Sequence, residues 1–510
     1  MAKLGALDNY NGELILGDIN TKDILLLNVI YHRGTKERNW KDYVSIVVKD
    51  VVTKEKKVIT IEKPSMILYE VKDEYRDYTY CPAFKSLKEC IGHKIAYRDV
   101  LKKIEEIGGK TASNFVEACK NNNRAAIKNL HKYPYVLGTD YDYASLFRIE
   151  WMLHYHNYNI DKTITKTYLD IEVDSIDIPG FPKPGSCPIN AVSFIDPTGN
   201  SVYVFLLYNS TNPQIDDFIN RKDEFIKECH KNFDETYGDF SYKIFMYEKE
   251  IDLIQQLFAL INHLKRDFCM IWNMGFDIPF IIARIYELGY DPKEIMCDPS
   301  FKVKECYYHK DTFHYDFKTR NDTFTLSSQT VFMDQMAQYI KVRKSRGELK
   351  SVKLNIIAKK EIGDEKLDYS EEANIKTLPY ANYWKFVMYN IKDSLLLHGI
   401  EEKTHDIDSI FSRALTNATS YQACFSQTRL LKNRAYLSYF KQGYIIGNNR
   451  NIDYSKPRDA EDSNDDDKFG GALVGNPLLN KHVGAIIFGK PSMFVFLKTI
   501  DLDLTTKRSA

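Results

Sequence analysis

The sequence predicts an α/β (α+β) protein whose central domain is built on a mixed sheet, and three observations lead to this prediction. The first is a short apolar run at residues 167–173, followed by two strand-like runs, Ala191–Ile195 and Val202–Leu207, that a turn at 196–200 joins. The second is a helical period of apolar residues over Ile251–Leu264, and the third is the apolar run Phe268–Trp272. Strand, hairpin, helix and strand in this order are typical of helices packed on a mixed sheet.

Composition sets the broad class of the protein. The chain has 510 residues, 44% hydrophobic and 13% aromatic, which is enough for two or three domains. Basic and acidic residues number 70 each, so the formal net charge is zero and any nucleic-acid contact must use local patches. The nine cysteines include no C-x-x-C pair, which favours reduced thiols in a cytoplasmic protein. No apolar run reaches the roughly 18–20 residues of a membrane span, so no membrane partner is expected.

Residues 1–160 are predicted to form a mixed, β-rich N-terminal domain. Four runs rich in β-branched and aromatic residues read as strands: Leu25–Tyr31, Tyr43–Val52, Lys57–Glu62 and Met66–Val71. Ser86–Ile107 is predicted to be a helix that ends at the glycine pair 108–109. No catalytic constellation is evident in this region, which favours a scaffold or docking role.

The strand at residues 167–173 carries two carboxylates, Asp170 and Glu172. Side chains at i and i+2 leave a strand on the same face, so the two acids point the same way. Adjacent carboxylates in an apolar strand are costly unless a cation lies between them, and hard divalent cations such as Mg²⁺ prefer oxygen ligands. So short a pattern is common by itself, and a strand edge with solvated acids is the alternative.

A second polar set, residues 272–277, lies between the strand Phe268–Trp272 and a predicted helix, Ile278–Leu288. Asp277 is expected at or near the helix N-cap, where an aspartate would cap the helix without any other role. Asn273 and Phe276 add a polar group and an aromatic face, which suit the end of a single nucleic-acid strand because bases stack on aromatic rings.

A third set lies in a predicted helix over Trp384–Leu397. Tyr389 and Asp393 are four residues apart, so they project from one face of that helix. Taken alone, the pair is equally compatible with an ordinary helix that exposes one acid.

Jointly the three sets resemble the motifs of the DEDD exonuclease superfamily. Because the third set contains a tyrosine, Tyr389, the resemblance is to the DEDDy type of that superfamily. They match its first (Asp170, Glu172), second (Asn273–Asp277) and third (Tyr389, Asp393) motifs in order. The surroundings narrow the resemblance to family B DNA polymerases of the T4-type bacteriophages. Two further segments resemble that family: residues 351–369, ahead of the third motif, and the F-G-G-A segment at 469–472, which is similar to its exonuclease–polymerase linker.

This resemblance implies a ribonuclease H-like 3′–5′ exonuclease domain at 161–405, a helical segment and acidic linker at 406–468, and the start of a polymerase palm at 469–510. It implies that Asp170, Glu172, Asp277 and Asp393 hold two divalent ions, Mg²⁺ or Mn²⁺. Tyr389 then joins these four acids as a catalytic residue, and Asn273 and Phe276 bind the primer terminus. The implied reaction is hydrolysis of the terminal 3′ phosphodiester, with release of a nucleoside monophosphate.

The last residues resemble the start of polymerase motif A, which makes Asp503 a candidate ligand of an incomplete polymerase site. Only seven residues follow it, without the fingers, the D-T-D motif or the thumb. We therefore expect the N-terminal portion of a polymerase, whether a natural split subunit, a truncated gene or a fragment, with no polymerase activity of its own. The expected partners are single-stranded or primer–template DNA, a second subunit that carries the missing domains, and a sliding clamp. The expected location is the cytoplasm, that of the host if the source is a bacteriophage.

Two alternative functions remain open from the sequence: a catalytically silent DNA-binding or docking subunit of a split polymerase, and a free-standing DEDDy nuclease.

Two weaker features accompany the motifs. Residues 307–325 alternate aromatic and basic residues and are predicted to form a hairpin, either a device for separating strands or a solvated hairpin. Residues 341–353 form a basic cluster that either meets DNA phosphates or is a solvated loop.

Overall fold

A computed structural model describes residues 4–7, 24–76, 84–120, 135–139, 142–155, 164–312, 320–344, 349, 351–368 and 374–446. The predicted palm segment at 469–510, with Asp503, lies outside the described residues. So do residues 447–468 of the predicted linker.

The described part of the chain contains sixteen strands and thirteen α-helices. The strands are β1 (Ile24–His32), β2 (Tyr43–Asp50), β3 (Lys56–Glu62), β4 (Ser65–Val71), β5 (Phe84–Ser86), β6 (Cys90–Ala96), β7 (Val136–Leu137), β8 (Lys166–Val173), β9 (Ile189–Asp196), β10 (Ser201–Leu207), β11 (Ser241–Tyr247), β12 (Phe268–Ile271), β13 (Cys306–His309), β14 (Thr323–Leu326), β15 (Val331–Asp334) and β16 (Tyr444–Ile446). The helices are α1 (Val100–Lys120), α2 (Tyr143–His154), α3 (Pro213–Asn220), α4 (Lys222–Tyr237), α5 (Glu250–Leu264), α6 (Met274–Glu287), α7 (Pro292–Met296), α8 (Gln335–Arg343), α9 (Leu354–Ile362), α10 (Leu378–Ala381), α11 (Tyr383–Thr404), α12 (Asp406–Thr416) and α13 (Gln427–Lys441).

The predicted mixed sheet is confirmed. Six strands pair in the order β11-β10-β9-β8-β12-β15. Strand β9 is antiparallel to both β8 and β10, whereas β8 and β12, β12 and β15, and β10 and β11 are parallel. The expected hairpin β9–β10, the helix α5 and the buried strand β12 all form close to their predicted bounds. The fold is therefore of the α+β class, and its ribonuclease H-like character stays a prediction.

Alternation along β8 separates its side chains between the two faces of this sheet. Tyr168 is fully buried in a core cluster that includes residues of α11, such as Leu396. Its neighbours Leu169 and Ile171 belong instead to the core cluster that contains α5 and α6. Because side chains alternate along a strand, Asp170 and Glu172 share the face of Tyr168, the face that α11 covers.

The chain divides into two compact units. One comprises Met1–Leu14, Lys63–His154 and Leu431–Ala510, and the other comprises Ile15–Glu62 and Tyr155–Leu430. The sheet β1-β2-β3 thus belongs to the unit that holds the six-stranded sheet, so the division does not coincide with the predicted boundary at residue 160. Ion pairs explain the association, because the β2 and β3 lysines Lys49 and Lys56 both contact Asp267, beside β12. The predicted domain ranges themselves remain predictions.

The predicted helix Ser86–Ile107 is wrong over its first half. Residues 90–96 form β6, which pairs antiparallel with β4, so sheet hydrogen bonds satisfy their backbone groups. The helix begins at Val100 and continues past the glycine pair to Lys120. Gly109 adopts the non-helical angles φ 52° and ψ −140°, so two helical stretches meet there at a kink, and the predicted interruption at the glycine pair is confirmed. No helix in the described ranges has the length and apolar character that a membrane crossing requires.

Candidate active site

The helix α11 is fixed across β9 through small polar side chains. The Ser193 hydroxyl donates a hydrogen bond of 2.8 Å to the backbone carbonyl of Asn390, and it lies 2.5 Å from the Ser394 hydroxyl. The Asn390 side chain in turn donates to Asp170 Oδ2 at 3.1 Å. These contacts set the rotation of α11, so Tyr389 and Asp393 lie over the carboxylates of β8.

Three of the four predicted metal ligands form one tight cluster. Asp170, Glu172 and Asp393 each place a carboxylate oxygen within 4.8 Å of the oxygens of the other two. Asp393 is buried, whereas the two β8 acids are half-buried. The i,i+2 pair on a strand and the acid on the covering helix therefore meet at one point, as a shared site requires.

Asp277 lies on the helix α6, outside the set that meets the 4.8 Å limit. The helix begins at Met274, and Asn273 is its N-cap residue, with φ 62° and no capping hydrogen bond from its side chain. Asp277 is thus the fourth residue of the helix and does not cap it. Burial raises its pKa well above the usual value, and the negative charges of Asp170 and Glu172 raise it further. The charges of Asp170 and Glu172 therefore act on Asp277, although Asp277 lies outside the tight set.

Lys366 is a site residue to which the sequence motifs assign no role. Its ammonium group donates a 2.9 Å hydrogen bond to the Tyr389 hydroxyl and forms an ion pair with the Asp393 carboxylate. Burial lowers the pKa of Lys366, but the Asp393 charge, with Tyr389 and Asp170, outweighs burial and raises it overall. Lys366 follows α9, well before the third motif in sequence, so no local period indicates this contact.

Burial and mutual repulsion perturb the titration of the whole cluster. Burial, with the Asp393 charge as the second cause, raises the pKa of Asp170 to about 8. Burial also raises the pKa of Glu172 and of Asp393. Burial beside Asp393 raises the pKa of the Tyr389 phenol, so this hydroxyl stays neutral near neutral pH.

The donor set fits a divalent cation. It consists of carboxylate oxygens, the ligands that Mg²⁺ and Mn²⁺ prefer. Asp393 Oδ1 is buried and accepts no hydrogen bond from the described residues, so an acceptor is left open inside the cluster. Burial first, and the charges of the neighbouring carboxylates second, raise the pKa values of Asp170 and Glu172, and a cation at this point would offset both effects.

An aromatic pair links the second motif to the loop between β8 and β9. Phe276 is half-buried, and its ring lies 5.1 Å from that of Phe181, centroid to centroid. Phe181 belongs to the loop between β8 and β9, and its side chain is 77% exposed. An exposed phenylalanine normally signals a partner surface only when it is grouped with others, as it is here. The Pro/Gly-rich loop sequence gave no indication that Phe181 would meet Phe276.

The predicted hairpin is confirmed at its base, where β13 and β14 pair antiparallel, while residues 313–319 lie outside the described residues. Tyr308 donates a 2.7 Å hydrogen bond to Asp322, which also forms an ion pair with Arg320. A Cβ atom added at Gly275 would lie 2.9 Å from Arg320 Nη2 and 3.1 Å from the Tyr308 hydroxyl. Gly275 therefore lets the hairpin base approach the start of α6.

The basic cluster at residues 341–353 is not a uniformly solvated loop, because part of it is buried. Arg343 is buried, forms a 2.6 Å ion pair with Asp406 and lies 3.6 Å above the Tyr339 ring. Burial lowers the pKa of Lys341, which is half-buried on the same helix. Arg343 is thus committed to the packing of α8 against α12 and is excluded from the suggested phosphate contact. Residues 345–348 and 350 of this cluster lie outside the described residues.

Comparison with known proteins adds one relative. A DNA-directed DNA polymerase of Escherichia phage RB69 is 23% identical to this chain over 356 residues, which cover 68% of the chain. The chain is a distant homologue of a phage DNA polymerase. The aligned part amounts to 36% of the length of that polymerase, so the chain matches well under two thirds of it. No family model matches the chain.

Proposed function

We propose that this chain carries the 3′–5′ exonuclease of a family B DNA polymerase, in a ribonuclease H-like domain. Its reaction is hydrolysis of the 3′-terminal phosphodiester of single-stranded DNA or of a frayed primer end. Water forms a new bond to phosphorus, the bond from phosphorus to the 3′ oxygen breaks, and a nucleoside 5′-monophosphate leaves. The acidic cluster of Asp170, Glu172 and Asp393, with Tyr389 against it, is the observation that supports this proposal.

The four acids and the tyrosine have distinct roles in the proposed reaction. Asp170, Glu172, Asp277 and Asp393 would hold divalent cations, which neutralise charge on the phosphoryl group and lower the pKa of water. Tyr389 keeps its proton, because its pKa is raised, so its hydroxyl orients the water or a phosphate oxygen by hydrogen bonding and does not act as a base. Asn390 holds Asp170 Oδ2, which fixes the orientation of that carboxylate.

Lys366 acts in this scheme as a positioning residue. Its ammonium group contacts both Tyr389 and Asp393, so it fixes the phenol oxygen relative to the carboxylate. A cation at this point also reduces the repulsion among the acids. Asn273, which is exposed, and Phe276 belong to the second motif, and the ring of Phe181 packs on that of Phe276. The terminal bases would stack and hydrogen-bond there.

The experiment that tests the proposal is digestion of a 5′-labelled single-stranded oligonucleotide by the purified chain with Mg²⁺ or Mn²⁺. Shortening from the 3′ end, one nucleotide at a time, is the expected result. The double variant Asp170→Ala, Glu172→Ala should abolish it while retaining a cooperative unfolding transition. A matched control, Asp223→Ala with Glu235→Ala, removes two exposed acids of α4 and should leave the rate unchanged.

Two outcomes would contradict the proposal. Digestion that persists in the double variant would show that the nuclease does not use these acids. A chain that binds single-stranded DNA yet never shortens it, with Mg²⁺ or with Mn²⁺, would favour the silent DNA-binding subunit instead.

A further inference from the structure

The loop between β8 and β9, residues 174–188, carries the exposed Phe181 and connects the first motif to the rest of the sheet. It begins two residues after Glu172. A 2.8 Å hydrogen bond from the Asp174 amide to the Pro188 carbonyl closes its base. A loop of this length with neither helix nor strand is uncommon in a compact domain, and such loops are often functional.

Both ends of this loop are fastened by side chains from other elements. Tyr380, on α10, donates a hydrogen bond to the Asp174 carboxylate near the first end. Arg284, on α6, donates a 3.0 Å hydrogen bond to the Gly185 carbonyl near the other end, and it forms an ion pair with Glu250 of α5. These contacts hold the loop where it leaves the sheet and where it returns to it.

A further contact, from Lys376, holds the middle of the loop. Lys376 lies two residues before α10 and is half-buried. Its ammonium group donates hydrogen bonds to the backbone carbonyls of Ile178 and Gly180, at 2.5 and 2.7 Å. The ends of the loop are anchored without this contact, so its consequence lies in the residues at the middle.

The contact from Lys376 restrains the peptide group that leads into Phe181. The Gly180 carbonyl belongs to the planar peptide bond between Gly180 and Phe181, so a hydrogen bond to its oxygen restrains that plane. Gly180 adopts φ 77°, a conformation that glycine reaches easily and leaves easily. Pro182 follows Phe181 and restricts its backbone to extended conformations. The backbone of Phe181 is therefore restrained on both sides.

The restrained ring lies where the segments that carry the three motifs meet. The loop continues from β8, and the Phe181 ring lies 5.1 Å from that of Phe276 in the second motif. Lys376 belongs to the segment that leads into α11, the helix of the third motif. An exposed aromatic surface suits the stacking of bases, and a surface that is already ordered binds at a lower entropic cost.

We propose that Lys376 is a positioning residue, which holds the ring of Phe181 against Phe276 in the orientation that stacks on a base at the end of a single DNA strand. Lys376 acts through the loop and contacts neither the strand nor the reacting atoms. The choice of single-stranded DNA as the ligand rests on the proposed exonuclease function, whereas the restraint of the loop does not depend on hydrolysis.

The test measures binding of a fluorescent eight-residue oligothymidylate to the full chain in EDTA, where no divalent ion supports digestion. Lys376→Met should weaken binding by about five-fold, because it releases the ring on which one base stacks. Hydrogen exchange of residues 176–181 should become faster in this variant. Lys376→Arg keeps hydrogen-bond donors and should retain most of the affinity. Lys183→Met, the matched control, removes an exposed lysine of the same loop and should bind as the wild type does.

A double-mutant cycle separates positioning from direct contact with DNA. Because Lys376 acts through Phe181, the variant Phe181→Ala and the double variant Phe181→Ala, Lys376→Met should bind equally weakly. With Mg²⁺ present, Lys376→Met should raise the KM for digestion and leave kcat nearly unchanged, since the chemical step does not use the ring.

Several outcomes would overturn the proposal. Losses that add in the double variant would show that Lys376 contacts the strand itself. Equal losses in Lys376→Met and Lys183→Met would show a general effect of charge. Unchanged binding, or unchanged exchange of the loop, in Lys376→Met would show that Phe181 is held without the lysine, and a wild-type chain that does not bind the oligonucleotide would leave the ring without this role. A chain that binds but does not digest DNA contradicts the exonuclease proposal alone, because the measurements in EDTA still decide the role of Lys376.

Discussion

The ammonium nitrogen of Lys366 lies 2.9 Å from the phenol oxygen of Tyr389 and also contacts the carboxylate of Asp393. One cation thus bridges the two residues that define the third motif. Lys366 approaches them from the segment after α9, so the relative position of the tyrosine and the aspartate depends on a residue outside their helix. This bridge gives Lys366 a positioning role, and measurements of rate and of metal affinity can separate that role from metal binding.

The variant Lys366→Met should slow digestion by about 10–100-fold, the range typical of residues that orient the direct ligands of a metal site. It should not weaken Mg²⁺ binding, because it removes a competing positive charge from the acidic cluster. Single-turnover digestion and metal titration calorimetry measure the two effects. Lys360→Met, on α9, is the matched control, since Lys360 is exposed and contacts Tyr339 and Glu361. A parallel loss of rate and metal affinity in Lys366→Met would refute the positioning role.

The acidic cluster should also make the stability of the metal-free protein depend on pH. The pKa of Asp170 is raised to about 8 in the folded chain, chiefly by burial, against about 4 in an unfolded one. Between these pH values the folded state binds more protons than the unfolded state, so the free energy of unfolding falls as the pH rises. We expect that decline between pH 5 and pH 8 in EDTA, and Mg²⁺ should reverse it at pH 8.

The variant Asp170→Asn isolates this effect. It should raise the free energy of unfolding of the metal-free protein at pH 8 by about 1–3 kcal/mol, the usual scale of a buried charge effect, with little change at pH 5. Chemical denaturation at both pH values measures it, with Asp223→Asn on α4 as the control for an exposed acid. If wild type and Asp170→Asn lost stability equally on going from pH 5 to pH 8, ionisation of the buried Asp170 carboxyl group would not be the cause.

Much of the site follows from local periodicity, which is visible in sequence. The i,i+2 spacing on β8 and the i,i+4 spacing on α11 each place two residues on one face, and the structure keeps both placements. Which faces then meet depends on how α11 rotates on the sheet. The contacts of Ser193 with Asn390 and Ser394 set that rotation across nearly two hundred residues of sequence. No short-range pattern carries that information.

The features that the sequence predicted wrongly or did not predict have one physical cause in common. In each, a backbone or charged group is paired with a residue that is distant in sequence. Residues 90–96 fall within the predicted helix, but pairing with β4 satisfies their backbone as a strand. Arg343 looks like part of a solvated basic run, but Asp406 on α12 pairs with it in the core. Lys366 lies in a segment that resembles the family, but its two partners lie on another helix, so no local pattern predicts its role.

Phe181 should contribute to substrate binding and not to the chemical step. Its exposed ring beside Phe276 offers a stacking surface, and stacking of one base on an aromatic ring contributes about 1–3 kcal/mol. Phe181→Ala should therefore raise the KM for a single-stranded oligonucleotide by about five-fold or more while kcat changes little. Phe245→Ala is the matched control, because Phe245 is 41% exposed and packs on Phe205 at the edge of the six-stranded sheet. An unchanged KM in Phe181→Ala, or an equal rise in the control, would remove the ring from the proposed binding surface.

The third motif offers the sharpest separation of roles, because Tyr389 and Asp393 both contact Lys366 but differ in what they offer a metal. Tyr389→Phe removes one hydroxyl and keeps the packing of a ring that is only 5% exposed. It should slow hydrolysis within the roughly 10²–10⁴-fold range of a positioned proton donor or acceptor. Its metal affinity should hardly change, because a phenol with a raised pKa is a poor ligand for a hard cation.

Asp393→Ala should instead weaken both metal binding and rate, because it removes a buried carboxylate whose Oδ1 accepts no hydrogen bond from the described residues. Excess Mn²⁺, which binds most oxygen and nitrogen ligand sets with an affinity different from that of Mg²⁺, should restore part of the rate in Asp393→Ala and none in Tyr389→Phe. Metal titration calorimetry with single-turnover digestion measures both variants under one set of conditions. If Tyr389→Phe lost metal binding as severely as Asp393→Ala, the phenol would itself be a ligand. The assignment of Tyr389 as the residue that orients water would then be wrong, even for a chain that is still a nuclease.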